Sequence, residues 1–392
     1  MTGVFYLAWR YLVWHRWKTT ILVLAVTLVI YLPLGLQLLV QQTAVDMTAR
    51  ADRSPLLLGS RGSPLELVLN SLYFSTEQPP ALHYGVLDEL RASGLVDAIP
   101  LYVRFSSGGL PIVGTNLDYF DFRGLRIAAG RSLVGLGEAV LGARAAQRLA
   151  LEVGDSVVSS PQSVFDLAGV YPLKMSVVGV LEPAHNQDDD AIFVDVKTAW
   201  VIQGLGHGHQ DLARPEAAAA ILKKEGDRLV ANASLVQYNE ITPQNVDSFH
   251  FHGASEQHPL TAVLSVPRDD KARVLMLGRY QSDAQLQMVQ PLTVIDELLS
   301  TIFAIQRYVL VAMVLVGAAT AAVVLLVFLL SLRARQAEMD TMSRLGGSRL
   351  SINSLMLAEI AIVLALSGLL ATLLTLATLN WGGPLLRAVV MQ

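Results

Sequence analysis

The chain has 392 residues and a formal net charge of −4 at pH 7; 53% of its residues are hydrophobic and only 16% are charged. Mean hydropathy is +0.46, which points to a membrane protein, and no basic excess suits it to nucleic acid. It has no cysteine, which excludes a disulfide framework, a thiolate zinc site and lipid attachment at Cys, and suits a domain facing an oxidising periplasm.

Apolar runs at Ile21–Val40, Tyr308–Leu332 and Ile360–Leu379 organise the chain. A run of about 20 residues crosses the ~30 Å hydrocarbon layer as a helix. The expected fold class is therefore a membrane protein with three transmembrane α-helices and one large α+β extracytoplasmic domain inserted after the first helix. Expected boundaries are 1–42 for an interfacial elbow helix and first span, 43–303 for the extracytoplasmic domain with its stalk helix, and 304–332 for the second span. A cytoplasmic helix and turn follow at 333–353, then the third span at 354–380 and a short tail at 381–392.

Tyr6, Trp9, Tyr11, Trp14 and Trp17 precede the first span, so Val4–Lys18 reads as a helix lying in the headgroup layer, where amphipathic aromatics favour residence. The apolar stretch behind it is longer than the ~7–15 residues of a signal-peptide core. Pro33 and Gly35 are expected to kink the outer part of the span. Arg10, Arg16 and Lys18 before the first span, and Arg333, Arg335, Arg344 and Arg349 after the second, both belong in the cytoplasm by the positive-inside rule. That orientation leaves 43–303 outside, in the periplasm of a bacterial inner membrane, and the C-terminus outside as well.

Within the domain, Ala139–Leu141, Ser156–Ser159, Met175–Leu181, Ala191–Val194 and Ala262–Val266 read as strands. Ala143–Glu152 and Pro215–Lys224 read as helices. The segment Gly59–Tyr73 reads as a Gly/Ser turn followed by an amphipathic helix. Pro291–Arg307 is periodic and runs straight into the second span, as a stalk helix would.

No catalytic constellation is present: there is no G-x-x-x-x-G-K-[ST], no G-x-S-x-G and no H-E-x-x-H. The expected protein is not an enzyme and does not itself hold ATP. Its histidines are the local anomaly. His207 and His209, and His250 and His252, form two His-x-His pairs, with His258 close behind. In a strand that spacing puts two imidazoles on one face, which suits Zn²⁺ or Cu²⁺. Asp188, Asp189 and Asp190, near His185, are candidate carboxylate ligands, or else a solvated acidic turn. Zinc is thus the one cofactor that this chain's own residues suggest, through His207, His209, His250, His252 and His258.

Between the second and third spans, Ala334, Ala337, Met342 and Leu345 line one helical face and charges fill the rest. Gly346 and Gly347 can end this helix, and Ser348 or Ser351 can cap the next. The pattern R-x-R-x-x-E-x-x-x-x-x-x-L-G-x-S-R, carried by Arg333, Arg335, Glu338, Leu345, Gly346, Ser348 and Arg349, resembles the permease subunits of MacB, LolC and FtsX-type ABC transporters. Leu357–Glu359, Leu7–Arg10 and Trp17–Leu22 match the same family. So, in order, do Gly114–Phe120, Ala129–Arg131, Leu141–Ala143, Val153–Asp155, Val177–Leu181 and Asp190–Val194. One departure stands out: the family usually has a fourth span, and Asn380–Gln392 is too short for one.

The resemblance implies a coupling helix that docks on a separate ABC ATPase, with Arg333, Arg335, Glu338, Met342, Arg344, Leu345, Gly346 and Arg349 as its ATPase-coupling residues. ATP and Mg²⁺ would sit on that partner. A second permease copy, making a homodimer, a periplasmic adaptor or lipoprotein, and membrane lipid are the other implied partners; nucleic acid is not among them. The implied function is a MacB/LolC-like permease that passes ATP-driven motion to an extracytoplasmic domain to move or release cargo. The alternatives are FtsX-like signalling or scaffolding for a periplasmic partner, and a metal-linked export or homeostasis component. Polar residues inside the apolar runs are few, and Thr27, Thr320, Ser367, Thr372 and Thr375 carry hydroxyls rather than charges, which favours force transmission over ion conduction.

Overall fold

Long uninterrupted apolar sequence produces long helices here. The computed structural model describes residues 2–160, 172–209, 221–225, 228–231, 238–344 and 349–390; of these, 221–225, 228–231, 349–352, 381–390 and positions 2, 332, 338, 340, 342 and 343 are described by backbone alone. The chain divides into two compact units, one formed by Met1–Met47 with Glu297–Gln392 and the other by Thr48–Asp296. Among the described residues, three helices are long and apolar enough to cross a membrane. They are the first long helix Arg16–Asp52, the second, Pro291–Ala334, and the third, Arg349–Val390.

In the first unit, the helix Thr2–Trp14 ends at a turn on His15, and the long helix starts at Arg16. The elbow is therefore shorter than the sequence suggests, because Trp17 and Lys18 already belong to the long helix. Trp14 and Trp17 are 84% and 76% exposed, as interfacial anchors need to be. The first long helix runs through Pro33 without interruption. It packs against the third through Leu22 and Val363, and Ala8 of the short helix packs on Leu355 and Ala358. Small and hydroxylated residues bring these backbones together: Thr27 Oγ1 donates to the Ser367 carbonyl at 3.4 Å, and Ser367 Oγ donates to the Val23 carbonyl at 3.2 Å. The backbone of the third helix continues through residues 381–390.

The second unit is built on a mixed ten-stranded sheet. Its first half runs Leu286–Val289, Leu56–Ser60, Ala262–Pro267, Val96–Ser107 and Leu110–Thr115, all antiparallel neighbours. Leu110–Thr115 then pairs parallel with Ile192–Asp195, which is followed by Glu138–Leu141, Lys174–Leu181 and Ile127–Gly130. Ser156–Val158 joins the sheet on Lys174–Leu181. The strands expected at 139–141, 156–159, 175–181, 191–194 and 262–266 are all present within a residue or so. Lys174–Leu181 shows the reason: its burial alternates strictly, with Met175, Val177 and Leu181 pointing into the core.

Helices Pro64–Tyr73, Gly85–Ala92, Ala143–Leu149, Val196–Ile202 and Asp270–Gln281 belong to the same unit. Leu87, Leu90, Ala145, Trp200 and Met276 from four of them enter one apolar core with sheet residues such as Leu58, Ile112 and Val194. Ser63 caps Pro64–Tyr73 by accepting the Glu66 N–H at 3.3 Å, with Pro64 at the first helical position, so the helix starts where its capping residues say. The expected helix Ala143–Glu152 stops early at Ala150, which takes a left-handed conformation with φ 52°. The helix expected over Pro215–Lys224 is overturned at its end. Ile221–Glu225 is a strand paired antiparallel with Arg228–Ala231, because local hairpin pairing outweighs a weak helical period; the rest of that expected helix lies outside the described residues.

Candidate functional site

The histidine pairs sit on a two-stranded ribbon. Gly206–Gly208 pairs antiparallel with Phe249–Phe251, in the register Gly206 to Phe251, His207 to His250 and Gly208 to Phe249. Side chains alternate between the two faces of a strand, so glycine and phenylalanine share one face and the imidazoles share the other. The glycines leave room for the rings. A Cβ on Gly206 would lie 2.7 Å from the Phe251 ring, and one on Gly208 would lie 2.5 Å from the Phe249 ring. Phe249 and Phe251 pack against the main apolar core. Anchoring of that face turns the opposite face, with its histidines, outward.

Ring centres lie 4.7 Å apart for His207 and His250, 4.8 Å for His207 and His252, and 5.2 Å for His209 and His250. One ligand nitrogen from each of His207, His209 and His250 lies within 4.8 Å of the other two. His252 adds a ring nitrogen 3.3 Å from His207 Nδ1. His207 and His209 are half-buried, and His250 and His252 are exposed. Burial pushes the His207 imidazole below its ordinary value, and the neighbouring His250, His252 and His209 push it the same way, because each disfavours another positive charge beside it.

His258 does not join this cluster, a correction to its expected role. It is 4% exposed, its Nε2 donates to the His252 carbonyl at 2.9 Å, and its ring stands against Trp200 at 4.6 Å between centres. It braces the backbone behind His252, while its Nδ1 is buried with no hydrogen-bond partner among the described residues.

The acidic triplet is neither a metal ligand set nor a solvated turn. Asp188, Asp189 and Asp190 form a buried 3-10 turn, and each of them pairs with an arginine. Arg50 reaches both Asp188 carboxylate oxygens at 2.8 and 2.9 Å. Arg144 Nη1 bonds Asp189 at 2.8 Å, and its Nε and Nη2 bond Asp190 at 3.0 and 2.5 Å. Asp189 also accepts the backbone N–H groups of Ala184 and His185. Tyr119 donates to Asp188 at 2.7 Å and accepts from Arg50 at 3.1 Å. Burial alone would raise the Asp188 carboxyl; the Arg50 guanidinium outweighs it and holds the group below the ordinary carboxylate range. No sequence signal marks Arg50, Tyr119 or Arg144 as partners of this turn, because they lie far from it along the chain.

The segment between the second and third long helices contains the helix Gln336–Arg344. Arg333 and Arg344 are exposed. Arg335 turns inward, contrary to the expectation that it faces an ATPase. Its Nη1 pairs with Glu359 at 2.8 Å, the two side chains are 12% and 8% exposed, and its guanidinium stacks 3.6 Å over the Tyr11 ring. A charge this enclosed is held by its partners. The arginine of the R-x-R pattern and the glutamate of Leu357–Glu359 thus form one interaction. Leu345 and Gly346 lie outside the described residues, as do the side chains of Glu338, Met342 and Arg349.

A family model described as the MacB-like periplasmic core domain matches residues 19–237. No curated protein sequence matches the chain significantly. Among solved structures, the chain is similar to the periplasmic region of MacB from Actinobacillus actinomycetemcomitans, at 12% identity and a TM-score of 0.35, over 62% of this chain and 92% of that one. It is also similar to the extracellular domain of the noncanonic ABC-type transporter YknZ from Gram-positive bacteria, at 13% identity and a TM-score of 0.33, over 60% and 98% of the two chains. The family match covers more than half of the sequence and joins the motif order already noted. The chain belongs to the MacB, LolC and FtsX type of ABC transporter permeases, and residues 19–237 carry its MacB-like periplasmic core domain.

Proposed function

We propose that this chain is the permease subunit of an ABC-type machine in a bacterial inner membrane, and that it passes the motion of a separate ATPase to an extracytoplasmic domain that moves or releases cargo. One observation carries this reading: a MacB-like core domain shares a chain with three helices long and apolar enough to cross a membrane. The Arg/Lys distribution supports a cytoplasmic position for the N-terminus and for residues 333–353, with the domain outside. The helix Gln336–Arg344, with exposed Arg344 in its last turn and exposed Arg333 at the end of the long helix before it, is the docking element for the ATPase. Arg335 and Glu359 brace it against the third long helix. Two copies of the chain with two ATPase subunits, and a periplasmic adaptor or lipoprotein, complete the assembly.

Purification with the co-encoded ATPase in lipid nanodiscs tests this. The expected result is co-purification, and ATP hydrolysis that rises when the extracytoplasmic partner or cargo is added. An ATPase that neither binds the permease nor changes its rate in its presence overturns the reading.

A further inference from the structure

We propose that the ribbon formed by 206–209 and 249–252 binds one divalent transition-metal ion of the zinc class, exchangeably, through His207, His209 and His250, with His252 as an added imidazole. This goes beyond the transport reading and does not depend on it.

The donor set selects the ion. The cluster offers ring nitrogens, and the carboxylates of the acidic turn are engaged by arginines. Imidazole suits Zn²⁺, Cu²⁺ and Ni²⁺, whereas Ca²⁺ and Mg²⁺ take oxygen ligands. The geometry is close to what such an ion needs. With Zn–N bonds of ~2.0–2.1 Å, tetrahedral ligands stand about 3.3 Å apart. His252 Nε2 and His207 Nδ1 already lie 3.3 Å apart. The nitrogens of His207, His209 and His250 lie within 4.8 Å of each other. Closing that difference takes roughly 1.5 Å, within reach of side-chain rotation from a fixed backbone.

The ribbon supplies that fixed backbone. Alternation of Gly206, His207, Gly208 and His209 against Phe249, His250, Phe251 and His252 commits one face to the core, so four imidazoles need not find each other in solution. Part of the ordering entropy of a metal site is thereby met by apolar packing. The same packing means that the ribbon does not need the ion in order to form. Structural zinc sites are closed, whereas this one has two exposed rings on a solvent face. An ion held there exchanges with solution, as a cargo or a sensed ligand must.

The test uses the full chain in nanodiscs, stripped with chelator and titrated with ZnCl₂ by calorimetry, without any ATPase. Saturable binding of one ion per chain at micromolar zinc is expected. Binding should weaken roughly ten-fold or more in His207→Ala and in the exposed-site variant His250→Gln. His83→Ala and His185→Ala should bind like the parent. Co²⁺ added to the parent chain should give visible d–d bands of a four- or five-coordinate nitrogen site, a readout that needs no variant. Absence of saturable zinc binding, or unchanged binding when His207, His209, His250 and His252 are all Ala, overturns the proposal. Because ATP hydrolysis is not measured, a failed transport reading and a failed metal site give distinguishable results.

Discussion

Arg50 and Asp188 meet in a two-pronged ion pair, at 2.8 and 2.9 Å, although 138 residues separate them in the chain. Arg50 stands in the last turn of the first long helix and Asp188 in the acidic turn before Ile192–Asp195. Both are almost wholly buried, and Tyr119 completes the hydrogen bonding. Both residues lie in the second unit, where the pair ties Arg50 to the acidic turn by charge and geometry together.

Removing one partner leaves the other charged and enclosed. Asp188→Asn should therefore destabilise the domain by about 3–5 kcal/mol. The double variant Arg50→Met with Asp188→Leu should cost less than that single change, since neither residue then carries an unpaired charge. Denaturant unfolding followed by tryptophan fluorescence measures both. A double variant less stable than Asp188→Asn would assign the pair's role to something other than charge.

Acid should weaken the domain in a defined window. Hydrogen bonding from Arg131 is the largest influence on Glu138; burial opposes it, and the N–H groups of Val134 and Gly135 add to it, so the carboxyl falls from 4.5 to about 2. A carboxyl whose folded value is depressed stabilises the fold above its unfolded value, and that contribution is lost as pH falls through the folded one. Stability attributable to Glu138 is thus complete above about pH 4.5 and disappears on the way down to about 2. Glu138→Gln should flatten that part of the stability profile. Asp188, held low by Arg50, works in the same direction. A profile as steep in Glu138→Gln as in the parent would count against this account.

The Arg335–Glu359 brace predicts a coupling defect that is separable from assembly. Glu359→Gln should leave the ATPase able to co-purify, but should lower permease-dependent ATP hydrolysis several-fold, because the enclosed guanidinium loses its countercharge. The charge swap Arg335→Glu with Glu359→Arg should recover part of the activity. Full activity in Glu359→Gln would remove this pair from the coupling route.

The ribbon's glycines should tolerate no side chain. Gly208→Val would drive a Cβ into the Phe249 ring, with an overpacking cost of about 1–3 kcal/mol and a tilt of the histidine face. Zinc affinity should fall with it although every histidine remains. Equal affinity in Gly208→Val and the parent would mean that Gly–Phe packing does not set the imidazole positions.

Absence of native cysteine makes topology directly testable. Val134→Cys, at a position 84% exposed in the domain, should react with a membrane-impermeant maleimide once the outer membrane is opened. Arg344→Cys should react only after the inner membrane is breached. The reverse pattern would invert the proposed orientation.

The sequence by itself determined the features that depend on neighbours along the chain. Three apolar runs dictate three long helices, because backbone groups without water must bond within their own segment. The valine-rich run Met175–Leu181 favours a strand, because β-branched side chains fit a pleated, half-buried surface. The spacing of His207 with His209, and of His250 with His252, dictates shared faces as soon as those segments are extended. Tertiary structure decided what local pattern leaves open. Leu56–Ser60 shows no alternation because it lies inside the sheet, and Val96–Ser107 contains Pro100, which weakens its strand signature. Only the fold turned Asp188 to Arg50 and Arg335 to Glu359, and only it placed His207 opposite His250 while setting His258 behind them. Those partners are chosen by burial: an enclosed charge or ring nitrogen takes whatever complement the packed chain brings within reach, and no spacing rule along the sequence specifies which one that is.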